Sequence, residues 1–154
     1  MAESWVFNRK LVHNADTGKR YLRITCDATA AVAKTFTVTQ MGDEGSGAPE
    51  EYDCTGWRLE RVVYYFDGTT PVNDNTDLDL LEGSSSGRSI FLVAAAGASL
   101  GKDMLDSAVH NVIYAGVTNA TYLAPIPIFD KLWISISGND TASAVVHLHF
   151  YFVE

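Results

Sequence analysis

The sequence predicts an all-β protein built as a two-sheet antiparallel sandwich, jelly-roll-like in its connections. Apolar residues make up 47% of the chain and aromatic residues 11%, values typical of a folded globular protein. Val, Ile, Thr, Tyr, Phe and Trp recur in short runs that end at Gly, Pro, Asn or Asp, as strands and turns do. About eight or nine such runs are separated by connections that are often long, which favours strands that cross between two sheets.

Two long strands are expected to lie at the centre of the fold. Residues 62–66 and 89–96 are apolar at successive positions, so neither face of either strand is polar. A strand covered on both faces needs a second sheet on one side and another layer on the other. The N-terminal segment or another copy of the chain would supply that layer.

The N-terminal third reads as a hairpin followed by one more strand. Residues 4–12 and 21–26 are predicted strands that flank a turn at 14–18, where Gly18 suits a positive φ. Residues 34–40 alternate apolar side chains with threonine, which is typical of a half-exposed antiparallel strand.

An acidic, glycine-rich stretch at 42–51 separates this N-terminal region from the rest. We therefore expect residues 1–56 to be an arm or hairpin region that packs on the sandwich or on a neighbouring subunit. Residues 57–154 would then form the jelly-roll core. The chain of 154 residues is one domain overall, because the first region is too small to fold alone.

The C-terminal half contains further predicted strands, each bounded by turn residues: 77–81, 111–117, 128–137 and 143–153. Two prolines exclude a central strand at 122–127. Residues 98–108 are expected to hold at most one helical turn.

Charge and composition exclude several classes of function. The net charge is −8, and the eleven basic residues are scattered along the sequence, so we expect no binding to nucleic acid or to an anionic membrane. The first residues contain no apolar signal segment, and the longest apolar run is too short to span a bilayer. Cys26 and Cys54 are expected to be small buried residues that remain unpaired.

Two histidines raise the question of a metal site. His147 and His149 lie on one face of a strand, a spacing that metal-binding β-barrels use. A site would need further converging ligands, which the sequence does not indicate. We therefore predict no metal and no other cofactor, and a polar face that these residues share with Tyr151.

A serine motif and an exposed tryptophan suggest two other functions. Residues 83–87 match the letters of a nucleophile elbow, but a strand rather than a helix follows, so we predict a hairpin turn and no enzyme. Trp133 stands among polar residues on its side of a strand. It would serve as a platform for a sugar or, as the favoured interpretation, as part of a protein interface.

Segments 57–68 and 125–140, together with Leu78, Leu80 and Leu81 and the final strand through Val153, resemble the jelly-roll head decoration (cement) proteins of tailed bacteriophages. The resemblance implies a homotrimer bound over junctions of the major capsid protein, on the outer surface of the virion. It also implies synthesis in the host cytoplasm, no cofactor and no catalysis. The alternative is a carbohydrate- or receptor-binding β-sandwich domain of a phage tail or fibre.

Self-association and capsid binding both require an exposed contact surface. The candidate interface residues are Trp5, Phe7, Val62, Tyr64, Phe66, Trp133, His147, His149 and Tyr151. We further expect the N-terminal segment, tethered by the loop at 42–51, to pair with an open sheet edge of a neighbouring subunit. The net charge fits a position on the outside of the head, away from packaged DNA.

Overall fold

The structure is a computed structural model, and it describes residues 2–43, 49–66, 69–93, 109–111 and 125–154. The strands within these ranges are β1 (Ser4–His13), β2 (Arg20–Thr29), β3 (Thr39–Gln40), β4 (Arg58–Phe66), β5 (Asp77–Glu82), β6 (Arg88–Val93), β7 (Val109–Asn111), β8 (Ile126–Pro127), β9 (Leu132–Ser137) and β10 (Val145–Val153). A single 3-10 turn is described, at Pro49–Tyr52. No helix in the described part of the chain is long and apolar enough to cross a membrane.

The strands form two antiparallel sheets. The larger sheet has the order β1-β2-β10-β4-β7, with the short β8 paired to β4, and the smaller sheet has the order β3-β9-β5-β6. With β1 and β8 set aside, the first remaining strand pairs with the last, β2 with β10, and the nested pairs β3 with β9, β4 with β7, and β5 with β6 follow inward. A long hairpin rolled up in this way is a jelly roll. The predicted fold class is confirmed.

The core lies between the sheets and is built mainly by alternation of buried and outward-facing residues along the strands. In β2, Leu22, Ile24 and Cys26 are each at most 1% exposed, while the residues between them lie on the outer face. In β10, Phe150 and Phe152 are buried in the same way. Alternation with a period of two is what directs one face of a strand inward.

The N-terminal region belongs to the sandwich. β2 lies between β1 and β10, with a register that runs from Thr29 opposite Val145 to Tyr21 opposite Val153. Residues 1–56 thus supply two strands of the larger sheet and one of the smaller, and strand pairing shows no boundary at residue 57. Alternation of apolar and polar residues made this region look strand-like. Its strands pair within the same chain, because β10 offers β2 a matching apolar face.

One predicted strand is mostly irregular, because residues 35–38 have no regular secondary structure. Of residues 34–40, only Thr39–Gln40 is a strand. Lys34 has a φ of 72°, which no strand residue adopts, and the carboxylate of Glu3 accepts a hydrogen bond of 2.7 Å from the Thr37 amide. This bond satisfies a backbone N–H that a sheet partner would otherwise take.

The doubly apolar character predicted for residues 62–66 is confirmed. Val62, Tyr64 and Phe66 are buried on one face, and Val63 on the opposite face is only 8% exposed. The corresponding prediction for side chains 91–96 lies outside the described residues, as do the helical turn at 98–108, the stretch 112–117 and part of the acidic loop, 44–48.

Candidate functional site

Five of the candidate interface residues lie inside the core. Trp5 is 9% exposed, Phe7 4%, Val62 2%, Tyr64 0% and Phe66 2%. They all belong to the buried core, where Phe36 packs against Trp5 and Tyr52 against Phe7, so they are not available to a partner. The apolar pattern alone could not distinguish the inner face of these strands from an interface.

The other four candidates are half-buried and lie on opposite sides of the sandwich. Trp133 belongs to β9 and faces outward on the smaller sheet. His147, His149 and Tyr151 project together from β10 on the outer face of the larger sheet, the side directed away from the core. The structure therefore brings the three β10 residues into one surface and separates Trp133 from them.

Around these histidines, side chains from two strands form what we call the imidazole–tyrosine stack: Tyr65 of β4 with His147, His149 and Tyr151 of β10. The ring of Tyr65 stacks on His147 at 4.6 Å between centroids and meets His149 edge-on at 5.6 Å. On the other side, Nδ1 of His147 lies 2.6 Å from Oδ1 of Asp27. Asp27, His147 and Tyr65 occupy one rung across β2, β10 and β4.

Burial and neighbouring charge shift the pKa values of two rings of the stack. The pKa of His149 is lowered, mainly by burial and then by the nearby Arg23 guanidinium, while Asp27 opposes this shift. The pKa of Tyr65 is raised, mainly by burial and then by Asp27. Both groups are therefore held in their neutral forms near pH 7, as ring surfaces suited to contact with another ring or an apolar group.

The stack is not arranged as a metal centre. Among the described residues, no three His, Cys, Asp or Glu side chains converge so as to hold an ion.

The G-x-S-x-G motif at 83–87 forms the turn that joins the antiparallel strands β5 and β6. The Gly87 amide closes this turn by donating a 3.0 Å hydrogen bond to the Ser84 carbonyl.

A second feature of the outer face is a row of cations, which we call the basic rung: Lys10, Arg23 and Arg61. Lys10 lies directly opposite Arg23, Arg23 opposite Tyr151, and Tyr151 opposite Arg61. The Arg61 guanidinium stands over the Tyr151 ring at 5.4 Å, a cation–π contact. Basic residues that are scattered in the sequence are thus aligned by strand register.

A bulge in β4 places two charges side by side at the end of this row. Tyr151 pairs with Arg61 and Phe152 with Leu59, so Glu60 is an extra residue in β4. Leu59 and Val62 are both buried, which leaves Glu60 and Arg61 on the exposed side. Bulges commonly redirect side chains in this way.

A groove of about 260 Å³ opens beside the basic rung. The side chains that matter for its chemistry are Lys10, Val12, Tyr21, Arg23, Glu60 and Tyr151. Of these, sequence reasoning singled out only Tyr151. No sequence signal identifies the others, because they are neighbours only through the pairing of four strands.

Comparison with known proteins adds no identification. No family model matches the chain, and neither a curated protein nor a solved structure matches it. The function is therefore argued from the fold and from the chemistry of the outer face.

Proposed function

We propose that this protein is a non-enzymatic virion protein that decorates the head of a tailed bacteriophage. It acts as a homotrimer on the outer surface, bound to the major capsid protein. The observation that supports this most is the nested strand pairing of a jelly roll, an architecture that recurs in viral capsid proteins. A fold alone does not imply a function, and the resemblance of segments 57–68 and 125–140 to decoration proteins supplies the rest.

The edge strand β1 is the surface that best suits capsid binding. β1 ends the larger sheet in the described residues. Near its start, the Tyr52 hydroxyl donates a 3.2 Å hydrogen bond to the Phe7 carbonyl, which covers part of the edge. Beyond Phe7 every residue of β1 is exposed. An exposed edge can pair with a strand of another protein.

Stabilisation of the head follows from mass action. A protein that binds only the assembled shell shifts the equilibrium toward the shell by its own binding free energy. This role requires no catalytic group. β1 and β2 must stay in the sheet. The contact with the capsid therefore uses an edge of the folded protein rather than a detached arm.

Deletion of residues 1–40 would not test this contact, because it removes the buried side chains of β2. A surface substitution is suitable. Leu11 and Val32 are both exposed, at 45% and 58%, but only Leu11 lies on β1, in the part beyond Phe7. Lysine on an edge strand discourages strand addition. We expect Leu11→Lys to weaken binding to undecorated heads roughly tenfold or more, and Val32→Lys to leave it unchanged.

The experiment measures cosedimentation of the purified protein with undecorated heads of the virus that encodes it, and survival of those heads on heating. Light scattering gives the oligomeric state, and a 16.8 kDa monomer at micromolar concentration would contradict the trimer. If wild-type protein does not bind heads, the decoration role is wrong.

A second candidate is a carbohydrate- or receptor-binding domain of a phage tail or fibre. The groove beside the basic rung favours it, because tyrosine rings and charged groups meet there in a concave surface. Binding to host cells in the absence of any binding to heads would distinguish this role from decoration.

A further inference from the structure

The basic rung is an electrostatic conflict within the fold. Like charges directly opposite each other across an antiparallel pair are destabilising, and Lys10 and Arg23 occupy such positions. In the described part of the chain, the ion pairs are Arg20–Glu154, Lys34–Asp140, Arg88–Glu82 and His147–Asp27. Lys10, Arg23 and Arg61 take part in none of them.

This lack of neutralisation is notable because acidic residues are abundant. The chain has 19 Asp and Glu against 11 Lys and Arg, yet three cations stand in one row with the carboxylate of Glu60 nearby and not within ion-pair distance. A site that keeps positive charge at a cost in stability is suited to an anionic ligand.

The groove beside the rung limits the size and shape of that ligand. Its volume is about 260 Å³, below the usual range for drug-sized ligands. Tyr21, Val12 and Tyr151 offer apolar surface, Arg23 and Lys10 offer positive charge, and Glu60 offers a hydrogen-bond acceptor. A ring that bears both a carboxylate and hydroxyl groups matches all three.

We propose that this groove binds a carboxylated sugar residue of an acidic polysaccharide. The carboxylate binds Arg23 and Lys10 through charge-assisted hydrogen bonds. The sugar ring packs against Tyr21 and Val12, and Glu60 accepts hydrogen bonds from hydroxyl groups. The site does not depend on the capsid role, since it would serve a head protein or a tail protein equally.

Glu60 makes the groove selective for a carboxylated sugar over other anions. Its carboxylate repels phosphodiester groups, which have no donor to offer it, and it repels the carboxylates of glutamate-rich peptides, whereas sugar hydroxyls donate hydrogen bonds to it. The overall charge of −8 also opposes nucleic acid. A small concave groove, moreover, holds one ring better than it holds the flat surface of a protein.

The test is calorimetric titration of the full-length protein with trigalacturonic acid and with sialyllactose. The matched neutral probes are methyl-esterified trigalacturonate and lactose, and triglutamate is the peptide control. We expect at least one acidic sugar to bind, and its neutral counterpart to bind roughly tenfold more weakly or not at all.

Variants locate the binding. Arg23→Gln and Lys10→Gln should each weaken acidic-sugar binding roughly tenfold. Lys131→Gln is the matched control, because Lys131 is an exposed cation near β9 and its loss changes the net charge by the same amount. It should change affinity less than about twofold.

Three results would overturn the proposal. The first is that neither acidic sugar binds at millimolar concentration. The second is that Lys131→Gln weakens binding as much as Arg23→Gln does. The third is that triglutamate binds as tightly as the sugars. The last result would assign the groove to acidic peptides. The thermal unfolding temperature of each variant is measured beside its affinity, so loss of binding is separated from loss of fold.

Discussion

Nδ1 of His147 lies 2.6 Å from Oδ1 of Asp27, although 120 residues separate them in the sequence. The contact exists because β10 pairs with β2 in a register that sets these two residues opposite each other. The same rung brings Tyr65 onto the other side of the imidazole. A polar cluster on the outer face is thus a direct product of the jelly-roll pairing.

We predict that acidification destabilises the protein through His149. Its folded-state pKa is lowered from the ordinary value of 6.5, first by burial, then by Arg23, with a smaller contribution from His147 and an opposing one from Asp27. Between the folded and unfolded pKa values the unfolded chain holds more protons, so stability falls as the pH falls through that window. The free energy that His149 contributes is complete above pH 6.5.

Chemical denaturation at pH 7.5 and at pH 5.5 checks this prediction. His149→Gln should lose less stability than the wild type between these two values. His13 is the control, because it is exposed at the end of β1, and His13→Gln should keep the wild-type dependence. Equal pH dependence of wild type and His149→Gln would contradict the assignment.

We predict that neither thiol reacts in the folded protein. Cys26 and Cys54 are both buried, and burial raises the pKa of Cys54 from 9.0 to about 12. Thiolate, the reactive form, is therefore scarce at pH 8. A thiol reagent should label the wild type only after addition of denaturant. Ser85→Cys, at an exposed position in the β5–β6 turn, should be labelled at once.

We predict different costs for alanine at two glycines of positive φ. Gly138 has a φ of 74°, and a Cβ there would lie 2.6 Å from the Asn75 carbonyl oxygen; Gly18 has a φ of 68°, with no described atom within 4 Å of its Cβ position. Gly18→Ala should cost about 1–2 kcal/mol from backbone strain alone. Gly138→Ala should cost more, because strain and a clash add. Equal denaturation midpoints would show that the turn at Gly138 relaxes.

The sequence was sufficient for the fold class but not for the surface. Alternation in β2, β9 and β10 follows directly from the residues, so these strands were predictable. The role of Trp5 and Phe7 was not, because an apolar stripe looks the same whether it faces a core or a partner. The basic rung depends on the register of four strands and on a bulge at Glu60, and neither is encoded in any local pattern.

The basic rung leads to a prediction in which stability and binding change in opposite directions. Lys10→Glu places a carboxylate directly opposite Arg23, which replaces a repulsive cross-strand pair with an attractive one. The free energy of unfolding should rise by about 0.2–1 kcal/mol. The same change should abolish binding of trigalacturonate or sialyllactose, because Arg23 is then neutralised from within the sheet.

Lys131→Glu is the control, because it changes the net charge by the same amount at an exposed position next to β9, outside the groove. It should show neither the gain in stability nor the loss of binding. Denaturant unfolding and calorimetric titration of the two variants give both quantities. A Lys10→Glu variant that is less stable than the wild type would mean that Lys10 and Arg23 do not repel each other. A variant that still binds the acidic sugar would mean that the unpaired charge of the rung is not what the ligand recognises.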